Sequence, residues 1–127
     1  MSESPVPGQS LAIAAEMLYL VNLMLAPGLA FLVLAWLWLK RRHDAPPLAR
    51  GHLDQTFFVS LWGGVLIVVA ITALFMVFGW NWEWTWVIVV LYFTAVHSTL
   101  ILLGMVGLAK AMAGKPYVYP WIGPRRA

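Results

Sequence analysis

Cysteine is absent from the sequence, and charged residues make up only 10% of it. The first absence excludes disulfides, thiolate metal sites and cysteine nucleophiles. The second sets the chain apart from soluble domains, in which about a quarter of the residues are charged. The chain is instead apolar: 62% of its 127 residues are hydrophobic, and its mean hydropathy is +0.83. A chain of this length and composition has room for one membrane domain and little else.

Catalytic motifs are also missing from the sequence. No Ser-His-Asp set, phosphate-binding loop or cluster with metal-ligand spacing occurs, so we predict no enzymatic activity and no catalytic, cofactor or metal site. The net charge is +3, but the eight Lys and Arg residues lie in two short clusters that flank apolar segments. This distribution indicates membrane topology rather than a nucleic-acid partner.

A hairpin of two apolar helices is the strongest pattern in the chain. Residues 56–78 and 87–109 are each apolar for about 23 positions, enough for a helix to cross roughly 30 Å of hydrocarbon. The turn between them carries four tryptophans at alternate positions. Because indole rings settle at the level of the lipid headgroups, we predict interface anchors at Trp80, Trp82, Trp84 and Trp86.

The first apolar segment, residues 11–39, is longer than one span and is interrupted by Pro27-Gly28. Proline and glycine together kink or break a helix. We expect one kinked span over residues 17–39, with Glu16 solvated at the outer surface. The rival interpretation is a half-helix that enters the membrane and re-emerges on the same side, which requires protein or water to cover its backbone.

The predicted fold class is therefore an all-α membrane protein with three transmembrane helices, the first kinked or broken at Pro27-Gly28. The two basic clusters must share one side of the membrane, and three spans satisfy this condition. We expect a bacterial inner-membrane protein with its N-terminus outside and its C-terminus cytoplasmic. Residues 1–10 form a flexible outer tail, residues 11–109 the membrane domain, and residues 110–127 a cytoplasmic interfacial tail.

Polar side chains inside the predicted spans are the candidate site residues. His97 lies midway along the third span, where an ionisable group is costly. Helical spacing places Thr94 on the same stripe and Ser98 beside it, while Ser60 joins a small-residue face of the second span. We favour a neutral His97 that is hydrogen-bonded to a neighbouring span. A contact with a partner protein and a role in ligand or proton binding remain alternatives.

His52 and His97 do not form a pair of haem ligands, because His52 is expected at the inner surface and His97 about 20 Å further along the membrane normal. In the tail, prolines forbid a continuous helix, and three aromatic residues alternate with other residues. We expect Tyr117, Tyr119 and Trp121 to anchor an extended strap on the cytoplasmic membrane face, against lipid or a neighbouring subunit. A disordered tail is the alternative.

Two stretches carry a resemblance to a known family. Residues 50–58 (RGHLDQTFF), which enter the second span, and residues 113–120 (AGKPYVYP), which follow the third, resemble the corresponding motifs of the Tic-twenty-like family. That family comprises small, mostly uncharacterised bacterial membrane proteins of three to four spans. They are related in pattern to a component of the chloroplast inner-envelope translocon. The resemblance implies a helical membrane module without enzyme activity.

Three functions remain open at this point. The favoured hypothesis is an accessory or assembly subunit of a larger inner-membrane complex, because the chain has small-residue helix faces and little mass outside the membrane. The alternative is a homo-oligomeric channel or carrier component, suggested by His97, Thr94, Ser98 and the broken first segment. An enzyme acting on membrane substrates is disfavoured. The expected partners are the lipid bilayer and other membrane subunits, or a second copy of the chain.

Overall fold

The computed structural model describes residues 6–124, and within that range the chain forms helices and no strands. Helix α1 spans Gln9–Met24, α2 spans Leu29–Arg41, α3 spans Pro47–Phe78 and α4 spans Glu83–Met112. The predicted all-α fold is confirmed for this part of the chain. Residues 1–5 of the predicted outer tail and residues 125–127, which include two arginines, lie outside the described range.

Helices α3 and α4 form the predicted hairpin. Proline at the first position of α3 is compatible with a helix start, where no backbone donor is needed. The helix contains one π-helical turn at Val65–Val69 and ends at Gly79, whose φ of 83° reverses the chain. Both helices are long and apolar enough to cross a membrane, and only 11% and 17% of their most apolar stretches are buried. That exposure is unlike the buried core helix of a soluble protein.

The first apolar segment is a hairpin, so the prediction of one kinked span over residues 17–39 is wrong. Helix α1 ends three residues before Pro27, and α2 begins directly after Gly28, whose φ is 86°. The two helices then run antiparallel. Ala15 of α1 and Leu34 of α2 share one buried cluster, and the backbone of Gly8 lies against the side chains of Pro46 and Ala49. Among the described helices, only α3 and α4 have the length of a span.

The structure does not support the predicted placement of the two ends of the chain on opposite sides, because the first and last described segments lie together. The side chain of Gln9 donates a hydrogen bond to the carbonyl of Met112 over 2.8 Å, and Val6 lies against Gly114. The start of α1, the basic loop after α2 and the end of α4 therefore meet at one end of the bundle. The tryptophan turn lies at the other end.

The core occupies the half of the bundle that contains the termini. Its three clusters combine residues of α1 with residues of the other helices and the C-terminal tail. Helix α2 is joined to α3 by Trp38, whose indole N–H donates to Asp54 over 2.8 Å and whose ring stacks on Phe57 at 4.1 Å. In the other half, α3 and α4 pack only on each other, and the buried side chains there are Phe75, Thr85 and Val89.

The four tryptophans of the turn are exposed, with 46–63% of each residue accessible. Trp80 stacks on Phe75 with ring centroids 3.9 Å apart, and the indole N–H of Trp86 donates to the carbonyl of Trp80 over 2.9 Å. The turn is thus held by its own aromatic contacts while its outer surface stays open. Their anchoring at a lipid interface remains a prediction.

The C-terminal tail packs against the protein's own helices, and this corrects the predicted surface strap. Residues 115–119 have no regular secondary structure, and the rings of Tyr117 and Tyr119 are 4.9 Å apart. However, Tyr119 is completely buried in the core. The alternation then ends at a turn over residues 120–123, which leaves Trp121 78% exposed. The surface role predicted for all three is thus wrong for Tyr119, whereas Tyr117 is half-buried and Trp121 is exposed.

The hairpin formed by α1 and α2 predicts a labelling pattern that a single span cannot give. Single cysteines at Val6, Asp44 and Asn81 will be reacted with a membrane-impermeant thiol reagent in sealed vesicles, and the cysteine-free parent provides a clean background. Val6→Cys and Asp44→Cys are expected to react from the same side, and Asn81→Cys from the opposite side. If Val6→Cys reacts together with Asn81→Cys, the first segment crosses the membrane and the hairpin is wrong.

Candidate functional site

A buried polar network joins α1, α3 and the C-terminal tail. Glu16 of α1 contacts both other members: its Oε2 lies 2.5 Å from Nδ1 of His52, and its Oε1 accepts a hydrogen bond of 2.5 Å from the hydroxyl of Tyr119. The second ring nitrogen of His52, Nε2, lies 2.8 Å from the carbonyl oxygen of Lys115. Glu16, His52 and Tyr119 are all 0% exposed.

The partners define the protonation of this network. A backbone carbonyl only accepts hydrogen bonds, so Nε2 of His52 must carry a proton and donate it to Lys115. Burial, together with the nearby Glu16 carboxyl, raises the pKa of Tyr119, so its hydroxyl stays protonated and donates. One further proton lies between Nδ1 of His52 and Oε2 of Glu16. Whether it resides on the histidine or on the carboxyl, the pair has no net charge.

Small and polar neighbours complete the site. A side chain at Gly107 of α4 would collide with the Glu16 carboxyl and the Tyr119 hydroxyl, so glycine is required for this close approach. Gln55 of α3 holds the tail further along, since its Oε1 accepts from the backbone N–H of Tyr119 over 2.9 Å and its Nε2 donates to the carbonyl of Pro124 over 2.5 Å. The tail is thus bound to the helices by side chains of α1 and α3.

This arrangement performs an internal, structural task. Each buried polar group must find a partner, because an unpaired one in an apolar interior is strongly unfavourable. Here the partners belong to segments that are distant in sequence, so satisfying them fixes the positions of α1 and of the tail on the α3–α4 hairpin. None of the three side chains is accessible to a substrate.

Sequence reasoning missed this network. Glu16 was expected at the outer surface and is instead buried, Tyr119 was expected at the lipid interface, and His52 was expected at the inner surface. The available signal was the carboxyl of Glu16 inside an apolar segment, which by itself indicates a buried partner or a functional role. The assumption of a single span concealed that signal, because it placed Glu16 in water.

The predicted site residue His97 serves a second polar arrangement, at the break between α1 and α2. Its Nε2 donates to the carbonyl of Leu23 over 2.8 Å. In a continuous helix that carbonyl would accept the N–H of the residue four positions later, which is Pro27 and has none. On the other side of the break, Oδ1 of Asn22 accepts the backbone N–H groups of Gly28 and Phe31 over 2.8 and 3.2 Å.

The other predicted polar residues are not brought together with His97 in a common network. Thr94 and Ser98 are exposed on the surface of α4, and neither hydroxyl has a hydrogen-bond partner within residues 6–124. The hydroxyl oxygen of Ser60 is buried and also has no partner in that range. The His97 ring is half-buried and stacks on Phe93 with centroids 4.8 Å apart.

No metal site accompanies these groups in the described part of the chain, where no cluster of three or more His, Cys, Asp or Glu has suitable geometry. No protein-family model matches the sequence, and no curated protein or solved structure is significantly similar to it. Inferences about function therefore rest on the geometry of the two polar arrangements and on the surfaces around them.

Removal of Glu16 is predicted to destabilise the fold strongly. Glu16→Ala leaves His52 and Tyr119 buried without their partner, which costs about 3–5 kcal/mol of unfolding free energy for a broken buried pair. Tyr119→Phe removes one hydrogen bond to the carboxyl and should cost about 1–3 kcal/mol. Unfolding in mixed micelles measures both. The matched control is Glu83→Ala at an exposed acid, with an expected loss below about 1 kcal/mol; equal losses at Glu16 and Glu83 would contradict the network.

The His97 bond gives a separate prediction. His97→Leu removes the donor to Leu23 and is expected to lower the unfolding free energy by about 0.6–2 kcal/mol, whereas His97→Gln keeps a donor and should be milder. His43→Leu, at an exposed loop histidine, serves as the control and should stay within about 0.5 kcal/mol of the parent. Equal losses for His97→Gln and His97→Leu would rule out a purely structural hydrogen bond.

Proposed function

We propose that this protein is a small, non-enzymatic accessory or assembly subunit of a larger complex in the bacterial inner membrane. In this proposal α3 and α4 cross the bilayer, while α1 and α2 enter it to about half its depth. The positive-inside rule assigns the end that carries the basic clusters to the cytoplasm. Both termini are then cytoplasmic, and the tryptophan turn faces the other side.

The observation that carries the proposal is an uncovered small-residue face on α4. Helical spacing places Ser98 opposite the buried residues Leu100 and Gly104, so it points away from the rest of the chain. Thr94 lies one turn away on the same exposed face. In hydrocarbon, small side chains let a second helix approach closely, and hydroxyl groups form hydrogen bonds between helices.

The buried network supports the same conclusion. Glu16, His52 and Tyr119 are the groups that general acid–base chemistry would use, and all three are consumed in holding the chain's own segments together. The surface that remains is an apolar bundle with an aromatic turn. Such a surface suits association with other membrane helices better than turnover of a substrate.

The resemblance to the Tic-twenty-like family is part of this proposal. The two stretches that carry it, residues 50–58 and 113–120, meet in the structure. His52 and Gln55 of the first bind Lys115 and Tyr119 of the second. A pair of motifs that forms one contact is better support for a shared architecture than two unrelated short matches. Its implied role, a helical membrane module, agrees with an accessory subunit.

Purification from native membranes tests the proposed function. The tagged full-length chain, extracted in mild detergent, is expected to carry a stoichiometric membrane-protein partner identified by mass spectrometry. Ser98→Leu should reduce that partner about tenfold by blocking close helix approach. Val106→Leu is the control, because it places the same leucine side chain on α4 at a 45% exposed position, two turns further along and about 80° around the helix.

Two outcomes would contradict an accessory role. A chain that purifies alone and is monomeric has no partner to assist. Co-purification of differently tagged copies without another protein would favour the alternative, a homo-oligomeric channel or carrier. Ion or solute flux in liposomes would then distinguish a channel or carrier from an inert oligomer. Equal partner yields for Ser98→Leu and Val106→Leu would show that the α4 face around Ser98 does not bind the partner.

A further inference from the structure

A cavity of about 470 Å³ lies at mid-height in the bundle, beside the break between α1 and α2. It exists because the α1–α2 hairpin ends there and because two consecutive glycines leave the facing surface of α3 bare. A side chain built at Gly64 meets no atom within 4 Å. The lining includes Asn22, Phe31, Ser60, Gly64, Phe93 and His97. Its volume is within the range of small-molecule sites in proteins.

The height of the cavity restricts its occupant. His97 is near the middle of the 30-residue α4, about 21 Å from either end of that helix. In the proposed membrane orientation this is the centre of the bilayer, which the headgroup of a phospholipid does not reach. Among residues 6–124, no Asp, Glu, Lys or Arg lines the cavity. The occupant is therefore an uncharged molecule that resides at the midplane.

The polar groups of the lining distinguish this cavity from a simple slot for a lipid chain. Oδ1 of Asn22 is used at the break, which leaves its amide N–H groups as donors. Nε2 of His97 donates to Leu23, so a neutral His97 keeps Nδ1 as an acceptor. A hydrocarbon chain would leave the Asn22 amide N–H groups and Nδ1 of His97 unpaired, at a cost in free energy.

We propose that the cavity binds the ring of an uncharged isoprenoid lipid of the quinone or quinol class, whose tail extends into the bilayer. Such a ring is flat and fits against the aromatic side chains of Phe31 and Phe93. Its oxygen atoms accept hydrogen bonds from the Asn22 amide, and a quinol hydroxyl can donate to His97. The proposal concerns binding alone and includes no electron transfer.

Gly64 offers a direct way to fill the cavity. Gly64→Phe places a ring in open space, and replacing glycine inside a helix improves helix propensity, so the fold should tolerate the change. Gly64→Leu is a smaller replacement in case the phenylalanine is too large. Val69→Phe is the matched control. It introduces the same side chain five residues further along α3, at a position that is 58% exposed and does not line the cavity.

The first measurement is the lipid content of the full chain purified in mild detergent from quinone-containing membranes. Solvent extracts are expected to contain close to one quinone per chain for the parent and for Val69→Phe. Gly64→Phe should contain at least tenfold less, with Gly64→Leu reduced in the same direction. A folded Gly64 variant that keeps the parent's quinone content would overturn the proposal.

The second measurement tests whether the cavity recognises the quinone ring or only the hydrocarbon tail, and it uses the parent protein alone. Delipidated parent protein is heated with a short-tailed quinone or with the same alkyl tail lacking the ring. A ligand that binds the native state raises Tm, so the quinone should raise it and the bare tail should not. Equal shifts with both compounds, or no shift with either, would show that the cavity does not recognise the ring.

Discussion

The missing backbone N–H of Pro27 is the constraint on which much of this structure depends. Without it the carbonyl of Leu23 loses its helical partner, and α1 ends. The positive φ of Gly28 then turns the chain back, so the first apolar segment becomes a hairpin of half the bundle's length. The location of the termini, the depth of the core and the cavity beyond the turn all follow from that reversal. His97 and Asn22 stabilise the reversal by forming the hydrogen bonds that the broken helix cannot form.

The Glu16–His52–Tyr119 network holds the α1–α2 hairpin in place. In an apolar environment, helices gain little from hydrophobic burial against one another, so packing and polar contacts decide their arrangement. A buried carboxyl is unfavourable unless it is hydrogen-bonded, and here each Glu16 oxygen has one partner, an imidazole nitrogen and a phenol hydroxyl. The same contacts fix the C-terminal tail. One polar cluster thus determines how α1 and the tail pack against the α3–α4 hairpin.

The two proposals concern different surfaces of α4. His97 contacts the break and lines the cavity, whereas Ser98, about 100° around the helix from it, is exposed together with Thr94, and no described segment covers either side chain. Both proposals are consistent with a subunit that binds a partner through the exposed face of α4 and holds a neutral lipid in the cavity. Both rest on the same membrane orientation but can be tested separately, because filling the cavity at Gly64 leaves the α4 face unchanged.

The amino-acid sequence by itself determined what depends on local periodicity and composition. The apolar runs of α3 and α4, the tryptophan turn and the break at Pro27-Gly28 could all be predicted, because each follows from residues that are adjacent in the chain. The direction of the chain after the break could not. The positions of the basic residues require the two basic clusters to share one side of the membrane, and two spans meet this requirement as well as three do.

Only the tertiary structure decided the partners of the polar residues. Helical or strand periodicity says which residues share a face, but not which segment that face meets. Glu16 could be assigned to water or to the core until the path of α1 was known. Tyr119 and Trp121 alternate in the sequence as if equivalent, yet a turn sends one into the core and the other to the surface. The burial of Glu16, His52 and Tyr119 comes from contacts among residues 36 to 103 positions apart, which no local pattern encodes.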